Sequence, residues 1–510
     1  MKRKFIFYWS LIILISQQLN AAVISKISLD SKSVTIYWRG ATSEIYKIEN
    51  SVNLSTGDWE TIIFLTSKNE SASYKNSTSD NGDVGFYQSL NFTNKVPAGN
   101  HLITYVPSSE TGDIAVLLYV PETARYTNGA GVVIMINTFF TDAKNFQDEP
   151  DFSKLGLIQL SYLWPGKNDV STAASDGTYD YGGSNCISAL RDVINFALGE
   201  IPNSGGRFLH ELIEINPLYD NVGLYAFSHP GIAAVNVLDI YADELSNVSY
   251  LVGRENPTLD KLSCVELGWY DDDDNGNPVF NPLYSYPACY SPTNIFIDYS
   301  TVKWEWQEEI PYFDLNSNGV ADAGDHKLGT RIPTMFNKNF YSCDLLTALA
   351  DNGALTNSDW PVILAKPQMA DDIWPFRESV FRYPAFSALT NKLRVLLLFA
   401  QEDHVQPAID KPHIHQAYDG FRFAAKLWTR LNPDKEYMNW ASHQLGNVSA
   451  DNPANTQPAD WSAISNWAYG DVSRASYFAA SAAVAEMSDR AFFNNWTENL
   501  TNVLVTNPKP

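Results

Sequence analysis

The stretch Asn221-Val-Gly-Leu-Tyr-Ala-Phe-Ser228-His-Pro-Gly231 carries an apolar run into a serine set between compact or turn-forming residues, and Ile232-Ala-Ala-Val-Asn-Val237 follows as a helix-forming run. A serine on a sharp strand-to-helix turn is held in a strained backbone conformation with its hydroxyl presented, and the residues two before and two after it must be compact. Ala226 and Pro230 occupy those places, with Gly231 next, and proline is well suited to the first turn of a helix. The chemistry open to such a serine is acyl transfer. A neutral hydroxyl is a poor nucleophile until an imidazole removes its proton, and a carboxylate holds that imidazole in the right tautomer. Backbone N–H groups must then meet the negative charge on the tetrahedral oxygen.

The segment resembles the nucleophile elbow of the α/β-hydrolase family, departing from the Gly-x-Ser-x-Gly pattern at both glycines. The resemblance implies that an acid and then a histidine follow the serine along the chain. Leu393-Arg-Val-Leu-Leu-Leu-Phe-Ala400 is a continuous apolar run of the kind a buried parallel strand needs, and it ends in Gln401-Glu-Asp-His-Val-Gln-Pro407. This looks like the family's strand-end acid loop, with Asp403 preferred over Glu402. Of the eight histidines, only His404, His413, His415 and His443 come at or after the acid. His404 adjoins the acid, and His413 and His415 precede an amphipathic helix expected over Gln416–Trp428. His443 follows Lys435–Trp440, a short final-strand candidate, and is the expected base. The oxyanion donors implied are the N–H of His229 and one from the loop after the strand Gly131–Ile136. There Asn137-Thr-Phe-Phe140 stands in place of the family's His-Gly-x, which makes Phe139 the first choice and Thr138 the second.

A second chemical signal is Asp314-Leu-Asn-Ser-Asn-Gly-Val-Ala-Asp-Ala-Gly-Asp325. Oxygen-bearing residues at positions one, three, five, nine and twelve, glycine at six and a carbonyl at seven match the spacing with which a loop collects calcium. The expected ligands are Asp314, Asn316, Asn318, Val320 through its carbonyl, Asp322 and Asp325. The loop is similar to EF-hand and related Asp-rich loops, but ends in aspartate and lacks helical flanks: Pro311 precedes it, and Gly329 and Pro333 follow. These departures suit a structural site. The run Asp271–Asp274 offers Asp272 and Asp274 to a second metal. No cofactor is expected for catalysis.

These residues need a framework, and the chain is long enough for one. It has 510 residues, 45% apolar and 13% aromatic, the composition of a globular protein rather than a disordered one. Lys2-Arg-Lys4, an apolar run from Phe5 to Ile15 and Leu19-Asn-Ala-Ala22 read as an export signal over 1–22. A secreted or periplasmic protein is expected, without membrane attachment after cleavage. Four cysteines are too few for a disulfide scaffold. Cys264 and Cys289 flank an insertion and are the pair expected to bridge, with Cys186 a buried free thiol. A formal charge of −23 argues against nucleic acid as a partner.

Over 23–95, short alternating segments (Ser33–Trp38, Glu44–Glu49, Trp59–Phe64 and Gly85–Leu90) separated by turn residues predict a small all-β sandwich, resembling the fibronectin-type-III-like modules of secreted enzymes. From 100 to 510 the expectation is an α/β fold of the α/β-hydrolase kind. Its mostly parallel sheet would use strands at Ile114–Val120, Val132–Ile136, Leu157–Tyr162, the elbow strand and Asn247–Val252. A large cap insertion is expected over about 255–390. The expected activity is hydrolysis of a small ester or amide by Ser228, His443 and Asp403. The alternatives are a prolyl-oligopeptidase-like serine peptidase acting on a peptide, or a calcium-stabilised binding protein on a hydrolase scaffold.

Overall fold

The computed structural model describes residues 23–30, 33–51, 58–68, 71–77, 86–138, 144–259, 265–270, 278–285, 296–329, 332–385, 393–399, 413, 416, 417, 420, 421, 426–431 and 477–496. Asp403, His443, Phe139, Asp272, Asp274, Cys264, Cys289, residues 1–22 and the segment Lys435–Trp440 lie outside them.

The N-terminal region contains β1 (Val23–Asp30), β2 (Ser33–Arg39), β3 (Ile45–Ser51), β4 (Glu60–Thr66), β5 (Ser71–Ser77) and β6 (Phe86–Phe92). They pair antiparallel in two sets, β1-β2-β5 and β4-β3-β6. Alternation explains the packing, since residues two apart share a face. Val34, Ile36 and Trp38 of β2 share one buried cluster with Tyr46 and Ile48 of β3, Ile63 and Leu65 of β4, and Tyr87 of β6. The second set is not an isolated module edge. β4 pairs in parallel with β7 (His101–Ser108) through Phe64–Leu102 and Leu65–Ile103, so it continues the central sheet.

That sheet is built further from β8 (Gly112–Tyr119), β9 (Ala130–Met135), β10 (Ile158–Tyr162), β11 (Pro217–Phe227), β12 (Tyr250–Arg254) and the strands Arg394–Phe399 and Lys426–Leu431. Among the described residues it has eleven strands, in the order Lys426–Leu431, Arg394–Phe399, β12, β11, β9, β10, β8, β7, β4, β3, β6. From β10 to Lys426–Leu431 every neighbouring pair is parallel, whereas β8 is antiparallel to both β7 and β10. The parallel strands are apolar on both faces because both are covered. Val132 and Ile134 of β9 face a cluster containing α1 (Ser184–Ala197) and α3 (Pro230–Ile240), with the short α2 (Leu209–Leu212) between these helices in sequence. Val133 and Met135 face the opposite cluster, closed by the alanine-rich helix Tyr477–Phe492. Cys186 lies fully buried in α1 with a free thiol, and burial pushes that thiol well above its ordinary pKa.

The Tyr477–Phe492 helix is fixed by polar contacts to the connection between β8 and β9. Arg125 Nε and Nη2 donate to the two carboxylate oxygens of Asp489 at 2.6 Å each, and Tyr126 Oη donates to Asp489 Oδ1 at 2.8 Å. Burial alone would lower the Arg125 pKa, but the charge of Asp489 and its hydrogen bonds raise it on balance, so the guanidinium stays charged.

One expected helix is corrected. Gln416, Ala417, Gly420 and Phe421 are helical, but Lys426–Leu431 is a strand paired in parallel with Arg394–Phe399. Lys-Leu-Trp-Thr-Arg-Leu fits a helical stripe and an alternation equally, and the open edge of the neighbouring strand offers hydrogen bonds that a helix would leave unused. Between β12 and Arg394–Phe399, the described residues contribute short strand pairs and the helices Cys343–Asp351 and Pro367–Ile373. This insertion rests on α3: Asn236 Nδ2 donates to Phe376 O at 2.7 Å, and Arg382 Nη1 pairs with Asp239 Oδ2 at 2.8 Å.

Candidate active site

β11 delivers Ser228 at the C-terminal edge of the parallel strands, and α3 leaves from that point with Pro230 in its first turn. Ser228 has φ +60°. A non-glycine residue in the left-handed region is uncommon and costs of order 1–3 kcal/mol, so the surroundings must hold it there. Three sets of contacts do so. Ser228 N donates to Arg254 O at 2.8 Å and Gly231 N donates to Ser228 O at 2.9 Å. Asn256 Nδ2 reaches Ser228 O at 2.8 Å, Ala226 O at 3.0 Å and Arg254 O at 3.1 Å.

Ala226 stands opposite Gly253 in the β11–β12 register, so the small residue has an even smaller partner across the ladder. A Cβ on Gly253 would lie 2.2 Å from Asn256 Oδ1, and one on Gly231 would lie 2.1 Å from Asn256 Cγ. Asn256 therefore sits in a slot that two glycines keep open, one on the adjoining strand and one in the first turn of α3. Glu255, between Arg254 and Asn256, has φ +50° and is fully buried; its N–H donates to Leu398 O at 2.8 Å. Two left-handed residues thus face each other at the ends of adjacent strands. The sequence reading missed Arg254, Glu255 and Asn256. The signal available was a polar run, Arg-Glu-Asn-Pro257, closing an otherwise apolar strand.

His229 follows at the start of α3, largely buried, with its Nδ1 3.3 Å from Ser228 Oγ. The loop leaving β9 is tied to the end of β10. Asn137 Nδ2 donates to Tyr162 O at 3.0 Å and to Asn145 O at 3.1 Å, and Trp164 Nε1 donates to Thr138 O at 2.8 Å. Thr138 itself is exposed. Of the expected catalytic and oxyanion set, Ser228, His229 and Thr138 are among the described residues. Asp403 would follow the strand Arg394–Phe399, itself bonded to β12 beside the elbow strand.

The Asp314–Asp325 segment joins the antiparallel strands Ile310–Phe313 and His326–Lys327, so its setting is a hairpin and not a helix pair. Ser317 and Gly319 both take positive φ. The carboxylate of Asp314 accepts the N–H groups of Asn318 and Gly319, and that of Asp325 accepts those of Leu315 and Asp322. Asp322 is held below the usual carboxylate range, first by the Gly324 N–H and then by the Asn318 amide. The donor set is hard oxygen, as calcium requires, but among the described residues no three His, Cys, Asp or Glu side chains converge as a metal cage. Val320 is exposed.

No protein-family model matches this chain, and no curated protein matches it in sequence. Among solved structures the chain is similar to an arylesterase at 11% identity and TM-score 0.31, covering 66% of this chain and 77% of that one. It is similar to a bacterial heroin esterase at 9% identity and TM-score 0.33, covering 76% and 83%. It is also similar to a prolyl endopeptidase at 8% identity and TM-score 0.35; the match spans 94% of this chain and about half, 53%, of that protein. Among the described residues no helix is long and apolar enough to cross a membrane.

Proposed function

We propose that this chain is a serine hydrolase of the α/β-hydrolase kind, cleaving a carboxylic ester through an acyl-enzyme at Ser228. The observation that carries the reading is Ser228 in the left-handed region at the turn from a central parallel strand into a buried helix, a conformation costly enough to need a purpose. In the proposed reaction His443 takes the proton of Ser228 Oγ as the oxygen attacks the ester carbonyl, and Asp403 orients the imidazole. The N–H of His229, at the start of α3, and that of Phe139 or Thr138 meet the oxyanion. Collapse breaks the carbonyl–alkoxy bond, and the imidazolium returns its proton to the leaving alcohol. Water then repeats the sequence on the acyl-enzyme, releasing the acid.

Fluorophosphonate labelling of the full chain, with site mapping and the Ser228→Ala variant, tests this. Labelling at Ser228 that disappears on substitution supports the proposal. No labelling of folded protein sinks it and favours a non-catalytic binding protein. Comparing p-nitrophenyl acyl esters with aminoacyl anilides separates an esterase from the prolyl-oligopeptidase-like alternative.

The proposal extends to a calcium ion in the Asp314–Asp325 hairpin loop, with a structural role. Its support is the oxygen spacing together with the fold of the loop around Asp314, whose side chain is nearly buried. Asn316 and Asn318 donate their amide N–H groups to the Asp322 carboxylate, the charge that a cation would meet. Export by the segment 1–22 belongs to the same reading.

A further inference from the structure

We infer that Asn256 is a positioning residue for the nucleophile, an amide staple that holds Ser228 in its strained conformation; the inference rests on the serine-hydrolase reading above. Asn256 acts through the backbone. Its Nδ2 has two hydrogens, shared among the carbonyl oxygens of Ala226, Ser228 and Arg254 at 3.0, 2.8 and 3.1 Å. These oxygens belong to the last turn of β11, to the serine itself and to the end of the adjoining strand. One donor group thus joins both sides of the elbow at the point where φ is +60°. Nearby geometry is arranged to admit this side chain and little else. Gly253 and Gly231 leave the room it fills, and Glu255 at φ +50° turns the chain so that Asn256 can reach back under the serine.

The turn also extends past Asn256 toward the segment after the expected acid. Thr258 N and Thr258 Oγ1 each lie 3.0 Å from His413 Nδ1. Ser379 N donates to Thr258 O at 2.8 Å, bringing in the end of the insertion. A short stretch, 256–258, therefore meets the nucleophile turn, the chain beyond the acid strand and the insertion together.

The replacement Asn256→Asp keeps the size and removes the donor, placing a carboxylate against three carbonyl oxygens. The measurement is the second-order rate constant of fluorophosphonate labelling per titrated site, with kcat and KM on an ester that the wild type cleaves. A misplacement of the order of 1 Å at a reacting group costs about 10²-fold. The expected result is a fall in rate constant and in kcat of about 10²-fold, with KM nearly unchanged because Asn256 does not touch substrate. A purely structural role would instead lower the fraction of labelled sites and leave the rate constant of the remainder intact.

A second variant covers the case in which Asn256→Asp does not fold. Gly231→Ala pushes a Cβ into Asn256 and is expected to cause a similar fall. In an Asn256→Ala background, where the obstructing side chain is gone, the same Gly231→Ala change is expected to add little. If the wild type labels at Ser228 while Asn256→Asp keeps its rate constant within about threefold, or if the two substitutions add in full, the staple is refuted and the hydrolase reading survives. If the wild type itself does not label, the hydrolase reading fails first, and the inference with it.

Discussion

Replacing Asp489 by alanine offers a quantitative test of how the sheet is closed. Asp489 is fully buried and Arg125 is 3% exposed; they share two hydrogen bonds of 2.6 Å, and Tyr126 adds a third at 2.8 Å. Asp489→Ala leaves a guanidinium in the interior without that carboxylate, and breaking a buried pair from one side costs about 3–5 kcal/mol. The unfolding entropy of a chain this long, at about 2 cal/mol/K per residue, makes 1 kcal/mol worth roughly 1 °C if the molecule unfolds as one unit. The expected drop in melting temperature is therefore about 3–5 °C, read by scanning calorimetry with circular dichroism to check that the fold is retained. The decisive comparison is the double replacement Arg125→Met with Asp489→Leu. It removes both charges and should cost less than Asp489→Ala alone, because the apolar pair restores packing without stranding an ion. A shift below about 1 °C for Asp489→Ala, or a double replacement costing the sum of the singles, would refute the reasoning.

Two further outcomes follow from the site and the hairpin loop. Trp164→Phe removes the indole donor to Thr138 O and so loosens the loop proposed to supply an oxyanion N–H; kcat should fall by up to about fivefold, the worth of one hydrogen bond near 1 kcal/mol, with KM little changed. An unchanged kcat separates that loop from the reaction. Calcium should raise the melting temperature of the wild type, by about 2.7 kcal/mol of stability at a hundred times its dissociation constant, and leave Asp314→Asn unmoved. An equal shift in both variants removes Asp314–Asp325 from the calcium proposal.

The sequence made the sheet legible where one signal dominated. Val132–Met135 and Tyr250–Val252 are apolar on both faces, a pattern that suits a strand covered on both sides. The strand-to-helix turn at Ser228 was legible because a strand, a serine and a helix-forming run stand in unbroken order. Less was readable where two patterns compete or where the cause lies across the fold. Lys426–Leu431 fits a helix or a strand, and the edge of Arg394–Phe399 decided it. β5 is polar and rich in serine, and it becomes a strand by pairing with one edge of β2, whose other edge pairs with β1. Asn256 is marked locally only by the polar run that closes β12, and its role comes chiefly from the carbonyl groups of Ala226 and Ser228, about thirty residues away in sequence.

That last case bears on how a strained turn from strand to helix can form with Ala226 and Pro230 on either side of Ser228. The turn needs volume where strand, serine and helix converge, and the volume can be left open by any residue that borders it. Here the room is left by Gly253 on the adjoining strand, opposite Ala226 in the register, and by Gly231 in the first turn of α3, and Asn256 fills it. The two positions should accordingly respond in the reverse of what the family pattern suggests. Ala226→Gly restores the pattern, yet it should only lower stability, by about 1–2 kcal/mol for a lost buried methyl and a more flexible backbone, with labelling per site unchanged. Gly253→Ala changes a residue outside the pattern, yet its Cβ would meet Asn256 Oδ1 at 2.2 Å and Leu397 Cδ2 at 3.0 Å, displacing the amide from the three carbonyls. Its labelling rate should fall as far as that of Asn256→Asp. Should Ala226→Gly slow labelling while Gly253→Ala leaves it intact, the space would belong to residue 226 after all, and the exchange of glycines between strands would be wrong.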